Sequence, residues 1–584
     1  MRWKSFLLWG FMLLLLLSAC TTAVETAVTP TSTPIIIPTS ELKDRSLRLF
    51  WWQAPKIINP HLTRATADRD AARLIYEPLA SFNGDDKLVP VLATEIPSVR
   101  NGLLDPEFKW VRWQIPAGLK WSDGHGFTAH DIKFTYDFII ENGGVSKGTY
   151  SAIESIDVLD LQTVQINFKD VNPAWELPFV GSEGLILPGH IFSDTEAEEI
   201  TPVGTGPYQL ESYNTEEVLF LGNQLVTTVK LIYTVNLHYR NADDLYFERI
   251  EMDGGGTANE AASAVLEFGD VDFAYNLQLE GDTLSQMVAG ENSTGQLLNT
   301  VGGTVEQISV IRNDPNDTTY NTLHPFFSIE VDESNANVRQ AIAHAIDKEA
   351  ISALYGPTGE ATNAMLVAPA DFRSPRDFYP YDLDAARQLL ADAGWVDENG
   401  DGIVEKDGRD LSITYRTNSN ALRQDTQSII QESLQQIGID VKIDVSGPFF
   451  SSNTTLPNTA YAGTSDILMF ALGNNNLDPT SSYLIEWTCG RIPTDNNGKW
   501  VGLNTARWCN EAYDALYNQS LVEINPTARA QLLQQMNDML VENVVVIPLV
   551  SRPRVSGVSH QLDGVNLTPW DSHLWNVHEW RRTP

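Results

Sequence analysis

Residues 411–445 read LSITYRTNSNALRQDTQSIIQESLQQIGIDVKIDV, and this stretch decides the fold class. Leu411, Ile413 and Tyr415 alternate with polar neighbours, the period of a strand with one buried face. Leu422, Ile429, Ile430, Leu434 and Ile437 then recur at helical spacing until Gly438 stops the helix, and Ile439, Val441 and Ile443 alternate again. A strand, a helix and a strand in so short a span form a βαβ unit, which implies parallel pairing through a right-handed crossover. Working outward, Val338, Ile342, Ala345, Ile346 and Leu354 make one apolar helical stripe. Leu383, Ala386, Leu389, Leu390 and Ala393 make another that ends at Gly394. The first half carries shorter alternating runs, such as Val164, Ile166 and Phe168, and reads as mixed sheet with fewer helices. The class is α/β.

The N-terminus has a different character. Arg2 and Lys4 precede an apolar run from Phe6 to Leu17, which ends in Ser18-Ala19-Cys20. This is the pattern of a signal peptide with a small-residue cleavage site, too short for a stable spanning helix, which needs roughly 20 apolar residues. Leu17-Ser18-Ala19-Cys20 resembles the bacterial lipobox, which implies a lipidated Cys20 as the first mature residue. Residues 21–40 are rich in Thr and Pro and read as a disordered tether. The expected location is the outer face of the cell membrane, by lipid anchor, periplasmic or at the cell surface.

The rest of the 584-residue chain sets a prior of two or three lobes, and 42% hydrophobic residues with fifteen Trp support a packed body. The formal charge is −37, from 39 basic and 76 acidic residues without long like-charge blocks. Nucleic acid is excluded as a partner, because phosphate binding needs a basic surface. With Cys20 lipidated, Cys489 and Cys509 remain, close together in a compartment that permits disulfides, and a bridge between them is expected over a reduced pair. A zinc site lacks a third and fourth ligand at metal-site spacing. Asp397, Asn399 and Asp401 before Gly402 have the spacing of the first half of a calcium loop, but Gly408 stands where the bidentate Glu is required, so the segment reads mainly as a loop after a helix. No cofactor is expected. An exported hydrolase is the rival from another class, and neither a Gly-x-Ser-x-Gly elbow nor a His-Glu-x-x-His helix occurs.

Ordered motifs then narrow the reading. Asn59-Pro60 is followed by Leu74-Ile75-Tyr76-Glu77-Pro78-Leu79, and Pro90 by Leu92-Ala93-Thr94. Next come Trp121-Ser122-Asp123-Gly124, Phe127-Thr128-Ala129-His130-Asp131-Ile132 and Pro202-Val203-Gly204-Thr205-Gly206-Pro207-Tyr208. Gly269-Asp270-Val271-Asp272, Val338-Arg339-Gln340-Ala341, Ala345-Ile346-Asp347-Lys348 and Ala393-Gly394-Trp395 complete the set. Together they resemble the family 5 substrate-binding proteins of ABC importers, which take dipeptides, oligopeptides and nickel. Asp478-Pro479, Cys489 and Arg507-Trp508-Cys509 follow in the order seen in dipeptide binders. Most of the matched positions have structural readings: Asp123-Gly124 as a turn and Thr128 to Asp131 as a helix cap.

The resemblance implies a bilobed periplasmic-binding-protein fold (type II, cluster C) with a hinge and an extra domain on the first lobe. Lobe I would comprise residues 41–88, 198–315 and 545–584, the accessory domain 89–197 and lobe II 316–544. The implied function is capture of a di- or oligopeptide between the lobes and delivery to a permease with its ATPase subunits, by a monomer that is not an enzyme. The same fold could instead hold an oligosaccharide, a nickel chelate or another solute. A peptide buried there needs a carboxylate for its ammonium and a cation for its carboxylate. By the resemblance Asp478 and Arg416 stand at those places, with Trp487 and Trp500 as walls of a side-chain pocket. Asn474, Asn475 and Asn476 occupy the segment where the family often has a further Asp, which leaves a single acid.

Overall fold

The computed structural model describes residues 45–583 apart from 64, 143–146, 193–201, 221–223, 318–321, 419, 447–448, 457–458, 475–476 and 482. The expected signal peptide, the lipidated Cys20 and the tether lie outside the described residues.

The βαβ unit forms as read. Strands Ser412–Arg416 and Asp440–Asp444 pair in parallel, Ser412 opposite Asp440 and Arg416 opposite Asp444, with helix Ala421–Gln435 as the crossover. Asn420 caps that helix by accepting the Arg423 N–H at 3.1 Å, and Gly438 ends the segment with φ of +85°, where a side chain would be strained. Ile430, Leu434 and Ile437 are buried against Ile413 and Val441. Helix Leu383–Asp392 also forms, ending at Ala393 and Gly394. The stripe from Val338 to Leu354 is two helices rather than one, Asn335–His344 and Lys348–Tyr355. Asp347 breaks it by taking extended dihedrals and capping the second helix through the Ala350 N–H at 3.0 Å, a local bond that competes with helix continuation.

Two large sheets carry the body. In order, the first contains strands Gly295–Thr300, Arg554–Ser559, Phe273–Tyr275, Ser46–Trp51, Arg249–Gly254, Gln224–Val235 and Tyr208–Phe220. The second contains Glu360–Ala361, Val546–Ser551, Gly303–Val310, Ile467–Asn474, Ser412–Arg416 and Asp440–Asp444. Each has its own core, around Leu49, Trp51, Leu231 and Met252 in the first and Ile308, Ile342, Ile413 and Ile547 in the second. The fold is the bilobed α/β class expected.

The chain passes between the sheets at residues 301–302 and again at 552–553. Gly303–Val310 and Val546–Ser551 are therefore members of the second sheet, whereas the boundaries read from sequence, after 315 and before 545, assigned them to the first lobe. Alternation reports that a strand has a buried face and not which sheet buries it, so the crossings were not legible. At the crossings Glu306, fully buried, accepts from Arg423 Nη2 at 2.9 Å and from Arg552 Nη1 at 2.6 Å, which neutralises a carboxylate that would be costly alone.

A third, antiparallel sheet of Trp110–Gln114, Thr163–Phe168 and Ile153–Asp160 packs with helix Ala129–Asn142 as the accessory module. Its core includes Leu79, Ala80 and Phe82, so it begins ahead of residue 89, and Ala368 and Leu477 of the second lobe also pack against it. The Gly204-Thr205-Gly206 turn lies flat on Ile75: the Gly206 N–H donates to the Ile75 carbonyl at 2.7 Å, and a Cβ on Gly204 would stand 1.8 Å from that oxygen.

Candidate ligand-binding site

The site is built around helix Thr66–Arg73, where Thr66, Arg69 and Asp70 fall on one face at i, i+3 and i+4. Opposite stand Trp570, Asp571 and Ser572 from the C-terminal segment and Arg554, the first residue after the second crossing. Leu177, Val180 and Glu183 of the accessory module and Leu477 of the second lobe close a cavity of about 140 Å³.

Its walls carry both signs of charge. Arg69 Nη1 meets Glu183 Oε1 at 3.0 Å. Asp70 accepts from Trp51 Nε1 at 2.9 Å, and burial pushes its carboxyl up to about 6 against the opposing pull of Ser572, Trp51 and the guanidinium of Arg554. Asp571 is held by Arg73 Nε at 3.3 Å and Ser81 Oγ at 2.7 Å.

At the cavity edge Leu177 and Leu477 bring their chain neighbours, Glu176 and Asp478, into one electrostatic cluster. Asp478 is buried and forms an ion pair with Arg529, while its other oxygen accepts from the Thr480 N–H at 2.9 Å and from the Thr480 hydroxyl. Arg529 is steadied by donating Nε to the Ser520 carbonyl at 3.0 Å. Glu176 keeps some exposed surface as a residue, but burial pushes its carboxyl up to about 7, with the charge of Asp478 adding to the shift and that of Arg529 opposing it. Arg529 thus pairs with Asp478, and the Glu176 carboxyl feels both charges where the accessory module meets the second lobe.

The other expected site residues stand elsewhere. Arg416 is buried at the end of its strand in an ion pair with Asp444, and Nη1 donates to Thr464 Oγ1 at 3.3 Å. Trp487 lies in the second-lobe core with Tyr483, Met536 and Leu540. Trp500 belongs to the hairpin of Thr494–Asn496 and Lys499–Val501, with the Arg507 guanidinium 5.6 Å from its ring centre. None of these three lines the cavity, and Asp478 only adjoins it. Sequence order marks a strand end or an aromatic, but the partner that takes up its charge or surface comes from a distant element. Cys489 and Cys509 are joined as expected, with Cα atoms 4.5 Å apart. The oxygens of Asp397, Asn399 and Asp401 accept N–H groups of their own loop, from Gly400 at 2.7 Å, Asp401 at 2.8 Å and Ile403 at 2.9 Å, so they serve as turn caps.

Arg69, Asp70, Glu183, Arg554 and Asp571, which line this cavity, and Glu176 next to its lining residue Leu177 are not among the residues expected from the sequence. A signal existed for the first two: Thr66, Arg69, Asp70 and Arg73 recur at i, i+3, i+4 and i+7 and make one charged helical face opposite Ala67 and Ala71, directly before the apolar Leu74-Ile75.

Two α/β lobes joined by two short crossings, with a charged cavity against the first lobe, define the architecture of a solute-binding protein. The chain belongs to the bacterial extracellular solute-binding proteins, family 5, whose "family 5 Middle" model matches residues 87–493. It is therefore a binding protein of the ABC-importer class and not an enzyme. Among curated relatives, a putative ABC transporter peptide-binding protein of Brucella ovis is 27% identical over 471 residues, covering 78% of this chain and 77% of its own. The oligopeptide-binding protein AppA of Bacillus subtilis is 27% identical over 421 residues, 67% of each chain. In solved structures, NikA of Brucella suis in complex with Fe(III)-EDTA superposes with a TM-score of 0.72 at 20% identity, covering 92% of this chain and all of that one. NikZ of Campylobacter jejuni, in complex with Ni(L-His), gives 0.69 at 20% identity over the same shares. No helix among the described residues is long and apolar enough to cross a membrane.

Proposed function

We propose that this protein is the lipid-anchored binding subunit of an ABC importer and that it captures a short peptide or peptide-like zwitterion in the cavity beside helix Thr66–Arg73. The observation that carries this reading is the pairing of opposite charges around one small space: Arg69 and Arg554 offer cations to a carboxylate and Asp70 an acid to an ammonium, with the acids Glu176 and Asp478 next to the lining residues Leu177 and Leu477. A ligand with both termini charged exchanges its water for these groups without leaving a buried charge unmatched. The cavity of about 140 Å³ is small beside the roughly 300–1,000 Å³ of drug-sized ligand pockets, which favours a dipeptide-sized solute over an extended oligopeptide. The curated relatives named for peptide binding support the same class. Lipidation at Cys20 would hold the protein on the outer face of the membrane, as a monomer, beside the permease and ATPase subunits that receive its cargo.

Calorimetry on the chain from residue 21 onward tests the assignment, with dipeptides, N-acetylated dipeptides and a maltooligosaccharide as ligands. Free dipeptides should bind without turnover. Asp478→Ala should weaken them by at least about tenfold, about 1.4 kcal/mol, while leaving the N-acetylated form little changed. Equal affinity for free and acetylated peptides would reject the acidic cluster as the ammonium partner, and preference for the sugar would reject peptide capture.

A further inference from the structure

A separate constellation lies on the accessory module. The turn Trp121-Ser122-Asp123-Gly124-His125-Gly126 is closed by the Trp121 N–H donating to the His125 carbonyl and the Gly124 N–H to the Trp121 carbonyl, both at 2.9 Å. Trp121 is fully buried beneath it, so Asp123 and His125 project from a fixed base. Short helix Gly189–Phe192 brings His190 to the same point from the far end of the module. That helix is fixed in turn: Gly189 N–H donates to Asp131 Oδ1 at 3.2 Å, and the Phe192 ring packs edge-on to Phe138 at 5.5 Å.

His190 Nε2 lies 2.7 Å and His125 Nδ1 3.2 Å from the same oxygen, Asp123 Oδ2, and the two imidazoles stack 4.3 Å apart. The three donor atoms all fall within 4.8 Å of one another. Ligands held at zinc-type distances of about 2.0–2.2 Å in a tetrahedron are about 3.3 Å from each other, so changes in separation of no more than about 1.5 Å would bring these atoms around one ion. The His125 side chain is 65% exposed and the side chains of Asp123 and His190 about a quarter exposed, which leaves a path for entry and a position for water.

From this geometry we propose that Asp123, His125 and His190 form a binding site for a borderline divalent transition metal, with Zn²⁺ as the reference ion. Two neutral imidazoles and a carboxylate are the donor set that zinc, nickel and copper prefer, whereas calcium and magnesium require oxygens throughout. The ion would tie the turn at 121–126 to helix Gly189–Phe192 and so fasten the beginning of the accessory module to its end. The site is independent of the ligand cavity, none of whose lining residues it contains.

The test uses tag-free protein from residue 21 onward, stripped with EDTA and exchanged into metal-free buffer. Titration calorimetry should find one Zn²⁺ site in the micromolar range and no heat with Ca²⁺. Co²⁺ should give visible d–d absorption that zinc then abolishes. Saturating zinc should raise Tm, because an ion that binds only the folded form stabilises it. His125→Ala and His190→Ala should each weaken zinc by about tenfold or more and remove the Tm response. His130→Ala, an exposed histidine on the neighbouring helix, should leave both intact. Absence of micromolar zinc binding overturns the proposal. So does binding that survives both His125→Ala and His190→Ala in proteins that retain wild-type circular dichroism.

Discussion

Replacing Glu176 by Gln should make the protein more stable at pH 8 and nearly unchanged at pH 4.5. Burial, reinforced by Asp478, pushes the Glu176 carboxyl up to about 7, whereas the unfolded chain titrates near the ordinary value of 4.5. A displacement of that size is worth about 3 kcal/mol at the pH where the folded group is fully ionised. The sign follows from proton counting. Between pH 4.5 and 7 the folded protein holds a proton that the unfolded chain has released, so stability falls as pH rises through this window. Gln does not titrate, and its amide oxygen can still accept a backbone N–H. Asp70, displaced upward by burial, and His61 and His573, displaced downward, also tilt the stability profile, but they are common to both proteins and cancel in the difference. Urea unfolding followed by Trp fluorescence, at intervals from pH 4.5 to 8, gives that difference directly. It should grow with pH to about 3 kcal/mol in favour of Glu176→Gln. A flat difference, or one of opposite sign, would refute the burial of the Glu176 carboxyl that drives the shift.

Cys489→Ser with Cys509→Ser should cost about 3 kcal/mol, because the bridge closes a loop with a separation of 20 residues; an unchanged urea midpoint under oxidising conditions would contradict this. Trp487→Ala should lower stability by about 3–5 kcal/mol through an unfilled core cavity while solute affinity of the folded protein stays at the wild-type value, and a selective loss of affinity would return Trp487 to the site.

The architecture was legible where a segment announces its own burial. Ile413 and Val441 show strand period, Ile430 and Leu434 show helix period, and the connection between them is short enough to dictate parallel pairing. The stripe from Val338 to Leu354 was read one helix too long because its apolar period runs through Asp347, while the cap that interrupts it is a single hydrogen bond. The crossings were illegible for a related reason. Gly303–Val310 and Val546–Ser551 are strands buried on both faces whose sheet is chosen by partners distant in sequence.

The site shows the same division more sharply. Sequence order makes Asp478 the ammonium partner and finds no second acid near it, since Asn474, Asn475 and Asn476 fill the preceding positions; the structure puts Asp478 next to the cavity lining at Leu477. The second acid is Glu176, supplied by the accessory module, and the cation is Arg529, on helix Pro526–Glu542. Arg416 illustrates the converse. It sits at the strand end that the family pattern favours, yet Asp444 on the adjacent parallel strand takes its charge, as register alone requires once Arg416 faces Asp444. Arg69 and Arg554 line the cavity itself, and Arg69 has its partner, Glu183, on the accessory module rather than on its own helix. Contacts of that kind join separate parts of the fold around the cavity, so a solute that takes the proposed place there and replaces one of them changes how those parts are held together.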